Sequence, residues 1–286
     1  MNTISRRSFL LATASGVAGL GLVACGGSNQ AATTSAATTA AAGSDPTTAS
    51  AGSEFVVGFD QAYPPYGYVD DKGEFAGFDL DLAQAVCADQ GWTYKAEPID
   101  WDAKDTLINS GAITCIWNGF TIEGREESYT FTEPYMLNAQ VVVVKADSAV
   151  KALADLAGKT VVTQVDSAAY EVLGDSQAQL AATFKALETR AEYNTAFMEL
   201  ESGAVDAVAC DLSIAKYQEA AKQGAYVVLA DYLSEEHYGV GFKRGQTAMA
   251  DAVTASLKKL DAAGKVKELC DKYADQGISY DNWCLK

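Results

Sequence analysis

Hydrophobic residues fall in short β-branched runs separated by stretches in which they recur every three to four positions. Residues 55–59 form an apolar run closed by Asp60, which predicts a strand. Similar runs predict strands at 93–97, 112–117, 141–144, 160–163, 205–209 and 239–242. From 79 to 90 the period changes. Phe78, Leu82 and Val86 repeat every four residues, the spacing of one helical stripe. Asp79 and Asp81 lie in that helix's first turn, where the dipole favours anions. Helices are expected also at 168–173, 194–202, 212–223 and 246–263. Pro64, Pro65, Gly67, Asp70, Asp71 and Gly73 mark turns between the first strand and the first helix. Strands alternating with helices predict an α/β fold.

The run 140–145 is unusually apolar, which suits either a buried central strand or a strand crossing between two lobes. Residues 238–243 offer a second crossing. Two crossings make 147–234 a second lobe inserted into a discontinuous first lobe, 54–146 plus 235–286. The expected architecture is thus two α/β lobes joined by two crossing strands, with a ligand cleft between them.

The first residues change the compartment. Ser5, Arg6, Arg7, Ser8, Phe9 and Leu10 form a twin-arginine export pattern, and a modest apolar stretch follows to Ala24. It falls short of the about 20 apolar residues of a membrane span. Leu22, Val23, Ala24 and Cys25 form a lipobox, so residues 1–24 read as a signal peptide and Cys25 as the lipidated N-terminus. Residues 25–53 are mostly Ala, Thr, Ser and Gly, too poor in apolar surface to fold. Such a tether reaches roughly 30 Å. Anchoring at the outer face of the cell membrane is therefore expected.

The formal net charge is −17 and no basic stripe is present, which argues against nucleic acid. Acidity alone accounts for solubility and does not require a cationic ligand. Besides Cys25 the chain carries Cys87, Cys115, Cys210, Cys270 and Cys284, so at least one is unpaired within a monomer. A Cys270–Cys284 disulfide suits an oxidising compartment, and Cys87 and Cys115 either bridge or act as small buried hydrophobes. The single histidine, His237, has no metal-ligand spacing to any cysteine. No metal, cofactor, nucleophile elbow or phosphate loop is expected.

Several segments resemble, in order, family 3 solute-binding proteins of polar amino acid ABC importers. Gly77, Phe78, Asp79, Leu80, Asp81 and Leu82, with Val86 and Cys87, resemble the family signature. Val57 to Asp60, then Tyr63 to Tyr66, resemble its opening strand and loop. Trp117 to Ile122, with Arg125, resemble its ligand segment. Phe131 to Tyr135 follow at about the family spacing, and Val208 to Asp211 resemble the second-lobe strand with its terminal Asp. The resemblance implies a monomeric binding protein that passes a free amino acid to an ABC permease.

Chemistry agrees with it. A free amino acid needs a fixed cation, a fixed anion and a side-chain pocket. Arg125 suits the carboxylate, which guanidinium grips with two parallel hydrogen bonds. The Gly119 and Thr121 amides and the Thr121 hydroxyl can share that carboxylate, and Ser167, opening a helix, can add to it. Asp211, at the carboxyl end of a strand, is the candidate for the ammonium, or else a helix cap. Asn118 belongs to the same ligand segment. Tyr63 and Trp101 match family positions that sandwich the ligand side chain, and Asp60 matches the position that reaches it. Arg125 in its charged run is open also to a surface pair, and the aromatics to a core, but the resemblance favours the site for Arg125, Tyr63 and Trp101. Two departures stand out. The interval from Ile122 to Phe131 is one residue shorter than the family's. Asp166 stands where the family commonly has glycine, and a carboxylate there either repels the ligand carboxylate or contacts a cationic ligand. Two rivals use the same scaffold: an enzyme such as a cyclohexadienyl dehydratase, and a transporter-independent sensor lipoprotein.

Overall fold

The computed structural model describes residues 50–286. The leader, Cys25 and the tether to residue 49 lie outside the described residues. The chain runs β1 (Glu54–Phe59), β2 (Ala62–Tyr63), β3 (Gly67–Val69), β4 (Phe75–Ala76), α1 (Phe78–Gln90), β5 (Thr93–Pro98), α2 (Lys104–Ser110), β6 (Cys115–Ile116) and β7 (Tyr129–Phe131). It continues through β8 (Met136–Lys145), β9 (Thr160–Gln164), α3 (Ala168–Gly174), α4 (Ala178–Ala181), β10 (Ala186–Arg190), α5 (Tyr193–Ser202), β11 (Ala207–Asp211), α6 (Leu212–Ala221), β12 (Tyr226–Val228) and β13 (Ser234–Tyr238). It closes with β14 (Gly241–Lys243), α7 (Thr247–Ala262) and α8 (Lys265–Lys272).

Two mixed sheets form the two lobes. The first has strand order β5-β1-β6-β14-β7. The second has order β10-β9-β11-β8-β12, with β13 also paired to β8. In α1 the four-residue repeat buries Phe78, Leu82 and Val86, together with Ala83 and Cys87. Each large apolar side chain so buried contributes roughly 1.5–3 kcal/mol. Gly91 ends the helix in the left-handed conformation and donates its N–H to the Cys87 carbonyl.

The apolar run at 140–145 is a central strand. Alternation along β8 sends Ala139, Val141 and Val143 into one core cluster and Val142 and Val144 into another. Both faces are covered, and that explains the continuous hydrophobicity. By strand pairing, the changeovers expected at 146/147 and 234/235 fall elsewhere. The chain leaves the first sheet after β7 and enters the second at β8, then returns between β13 and β14. The two crossings are tied together. The Thr132 N–H donates to the Val240 carbonyl at 3.1 Å, the Val240 N–H to the Thr132 hydroxyl at 3.0 Å, and the Tyr135 N–H to the Tyr238 carbonyl at 2.9 Å.

All five cysteines of the described residues are free thiols, so neither Cys270–Cys284 nor Cys87–Cys115 is bridged. Cys87, Cys115, Cys210 and Cys270 are buried and pack as small hydrophobes. Among the described residues no helix is long and apolar enough to cross a membrane.

Candidate functional site

The ends of β1, β6, β9 and β11 meet at the junction of the lobes. There Tyr63, Trp101, Gly119, Thr121 and Arg125 of the first lobe face Gln164, Ser167, Ala168 and Asp211 of the second across one narrow pocket. Its free volume is only about 10 Å³, because the lobes touch. Seven of the nine residues singled out in the sequence line it. Asp60 lies next door, in a cleft of about 450 Å³ that shares Trp101 with this pocket. Asn118 is placed differently. Its buried side chain packs against β3, where a Cβ added to Gly67 would sit 2.8 Å from the Asn118 Oδ1.

Arg125 is 5 % exposed, so it is not a solvated surface pair. Its guanidinium lies over the Phe120 ring at 4.9 Å. It donates to the Thr121 carbonyl at 3.4 Å, the Asp166 carbonyl at 3.3 Å and Glu171 Oε1 at 3.2 Å. The last two partners belong to the other lobe. Arg125 can offer five N–H donors, so this leaves capacity for a further carboxylate.

Asp211 ends β11 and is 3 % exposed. It occupies the N-cap of α6, yet its side chain makes no cap hydrogen bond. Its Oδ1 instead accepts from Tyr238 Oη at 2.8 Å, Gln140 Nε2 at 2.8 Å and Asn138 Nδ2 at 3.1 Å. The same two amides donate to Glu236 Oε1, at 2.9 Å from Gln140 and 2.6 Å from Asn138. Thr121 Oγ1 donates to that oxygen at 3.1 Å. Burial and the neighbouring Asp211 push the Glu236 carboxyl up to about 8. The sequence reading missed this group, although a signal was present. Asn138 and Gln140 alternate on β8, and Glu236 and Tyr238 on β13, so all four point to the face that carries Asp211.

The Gly119 loop is held from behind. Gly119 has φ of 58°, and a Cβ there would meet the Tyr238 and Tyr63 rings at 3.0 and 3.1 Å. Its N–H donates to Asp79 Oδ2 at 2.6 Å, so that hydrogen positions the loop and does not face the cleft. Tyr135 Oη donates to Asp79 as well, at 2.8 and 2.9 Å. Burial holds the Asp79 carboxyl at about 7 despite these bonds. Ser167 caps α3, accepting from the Tyr170 N–H at 3.2 Å, with the Thr163 hydroxyl 3.0 Å away.

Other contacts join the lobes. Asp60 Oδ2 accepts from Gln164 Nε2 at 2.6 Å, while Oδ1 accepts from the Ala62 N–H at 2.8 Å. Burial raises the Asp60 carboxyl, and nearby Glu192 and Asp100 add to that. Trp101 Nε1 donates to the Asp166 carbonyl at 3.2 Å. Asp166 has φ of 51°, a left-handed backbone that glycine adopts most readily. Its carboxylate turns toward Lys104 at 3.7 Å. His237 is half-exposed and pairs through Nδ1 with Glu123 at 2.7 Å, beside the second crossing and outside the pocket.

The arrangement places a buried guanidinium on one lobe and a buried carboxylate on the other, with aromatic rings between. That is a complement to a zwitterion. Residues 55–276 match the family model for bacterial extracellular solute-binding proteins, family 3. The chain is 28 % identical over 272 residues to the probable histidine-binding protein of Neisseria gonorrhoeae, covering 92 % of this chain and 94 % of that one. An ABC uptake transporter substrate-binding protein from Streptococcus pneumoniae with bound histidine superposes with a TM-score of 0.76 at 30 % identity, over 79 % of this chain and 94 % of that one. The structure of Tv2483 bound to L-arginine gives 0.74 at 26 % identity, over 81 % and 94 %.

Proposed function

Because the chain belongs to the bacterial extracellular solute-binding proteins of family 3, we propose that it captures a free amino acid with a basic side chain between its lobes and delivers it to an ABC permease. One observation carries this reading: buried Arg125 and buried Asp211 face one pocket from opposite lobes. Arg125 takes the ligand carboxylate and Asp211 its ammonium, with Thr121 and Ser167 beside them. Tyr63 and Trp101 flank the side chain. It leads into the adjoining cleft, whose walls carry Asp60, Asp100, Asp102 and Glu192. None of these four carboxylates has an ion pair among the described residues. A cationic side chain supplies the charge they lack and gains most from Asp60, the one of the four that is buried, the other three being exposed at the rim. The lobes must part to admit the ligand, because the free volume between them is far below that of an amino acid. As a monomer the protein has both lobes it needs.

A thermal-shift and calorimetric panel of L-arginine, L-lysine, L-histidine, L-glutamine, L-glutamate and L-cystine tests the proposal. Basic amino acids raise the melting temperature and bind with the highest affinity. Tighter binding of glutamine or cystine removes the basic-side-chain assignment, and stabilisation by none of them removes amino acid capture altogether. The anchor is part of the same proposal. Two acyl chains on Cys25 give stable attachment where one gives only marginal binding. The substitution Cys25→Ser accordingly leaves the precursor uncleaved or releases the protein to the medium, and normal membrane-bound mature protein from that variant refutes the anchor.

A further inference from the structure

Asp166 is the only non-glycine residue with positive φ among the described residues. A side chain disfavours that backbone, and a turn with no other task is served by glycine. Asp166 does have another task, because every partner it contacts lies on the first lobe. Its carbonyl accepts from Trp101 Nε1 and from the Arg125 guanidinium. Its carboxylate lies 3.7 Å from Lys104 Nζ. Lys104 is itself unusual. It is the first residue of α2, the end where a helix dipole disfavours a cation. Its side chain is 5 % exposed, and its ammonium lies 5.3 Å from the Trp101 ring centre. Burial and then the adjacent Arg125 push its pKa down, and Asp166 is the carboxylate that most opposes this. A poorly placed, buried cation on one lobe thus has its ion pair on the other.

We infer that Lys104 and Asp166 form an interlobe latch that stabilises the closed lobes without touching the ligand, and so sets how slowly any bound amino acid is released. This rests on the reading of the lobes as a clamp. With Arg125 and Glu171, paired at 3.2 Å, it makes two cations of the first lobe face two anions of the second. Separating the lobes breaks both pairs at once. The ligand-binding groups are spared because Asp166 meets them through its backbone carbonyl, which any residue supplies. An acid at this position therefore neither repels the ligand carboxylate nor binds the ligand. It tunes the balance between open and closed forms, which a ligand shifts only by its differential affinity.

The test uses the full chain carrying a dye on each lobe, with L-arginine and L-histidine as probes. Asp166→Asn keeps the shape and the tolerance of left-handed backbone but removes the charge, and Lys104→Met removes the other charge. Each is expected to lower the closed fraction measured by single-molecule energy transfer without amino acid, and to speed release of bound probe by about two- to fivefold, the range of a partly exposed ion pair. The double variant is expected to be no worse than either single one. Asp166→Gly relieves the backbone, so it is expected to melt no lower than the parent while still releasing probe faster. Closed fractions equal in the parent and both single variants overturn the latch, whatever the amino acid panel returns. So does an additive double variant, or an Asp166→Gly that melts lower with release unchanged. If no amino acid binds yet the closed fractions differ as stated, the latch stands and the ligand assignment falls.

Discussion

At the scale of single residues, the proposed site places charges where water is scarce. Arg125 and Asp211 are each about 95 % or more buried; Asp211 is held by neutral donors of its own lobe, and Arg125 by the Thr121 carbonyl on its own side and by the Asp166 carbonyl and Glu171 across the cleft. On the proposed reading, removing one of them leaves a ligand charge desolvated without its partner. Such truncations cost about 2–5 kcal/mol. At about 1.4 kcal/mol per tenfold, that is roughly 30-fold to several thousand-fold in affinity. Arg125→Ala and Asp211→Ala are therefore expected to weaken amino acid binding by that range in calorimetry. Their melting temperatures should stay within a few degrees of the parent, because neither side chain is part of the apolar core. A variant that binds like the parent removes its residue from the site. Asn118→Ala serves as the contrast. Its side chain faces Gly67 rather than the pocket, so its loss should act on the loop and leave a smaller change in affinity.

At the scale of elements, what the sequence revealed depended on the length and regularity of each pattern. Helix α1 and the pair β11–α6 were legible because a clear period ran across them and a charged residue marked their ends. The terminal Asp of β11 was legible as a candidate for the same reason, and it lines the pocket. Strand β10 (Ala186–Arg190) and helix α8 were missed. β10 is an edge strand with polar, half-exposed positions, and α8 is short and strongly charged, so neither shows an apolar run. Strand β8 was found, but its apolar run suits a crossing as well as a centre. Only the pairing with β11, β12 and β13 separates the two, and pairing is a property of distant segments. Glu236 escaped for a related reason. In sequence it is one of two adjacent glutamates and resembles a solvated pair. Burial comes from the Thr121 loop and β8, which lie more than 90 residues away.

At the scale of the whole molecule, the buried acids set how stability responds to pH. Asp79 is held at about 7 and Glu236 at about 8, each raised mainly by burial, and Asp60 is raised by the same cause. In the unfolded chain these carboxyls titrate near 4. Between that range and the folded values, the native state holds protons that the unfolded chain has released. Stability must then fall as pH rises through that window and be greatest on its acidic side. Each group contributes a slope of at most about 1.4 kcal/mol per pH unit while it differs fully between the states. Carboxylates with lowered values act in the opposite sense but only in stronger acid. Asp89 and Glu201, paired with Lys259 and Lys222, are of this kind. The net charge of −17 adds general repulsion that also eases in acid, so the two sources need separating. Salt separates them, since it screens exposed charges and leaves desolvation of buried groups untouched. Urea unfolding in high salt is therefore expected to give a higher midpoint at pH 5.5 than at pH 8.5. Asp79→Asn and Glu236→Gln keep the shapes and remove the titrations, so each should flatten that slope. A parent midpoint that rises from pH 5.5 to 8.5, or variants that keep the parent's slope, would show that these carboxyls are already ionised in the folded protein at neutral pH.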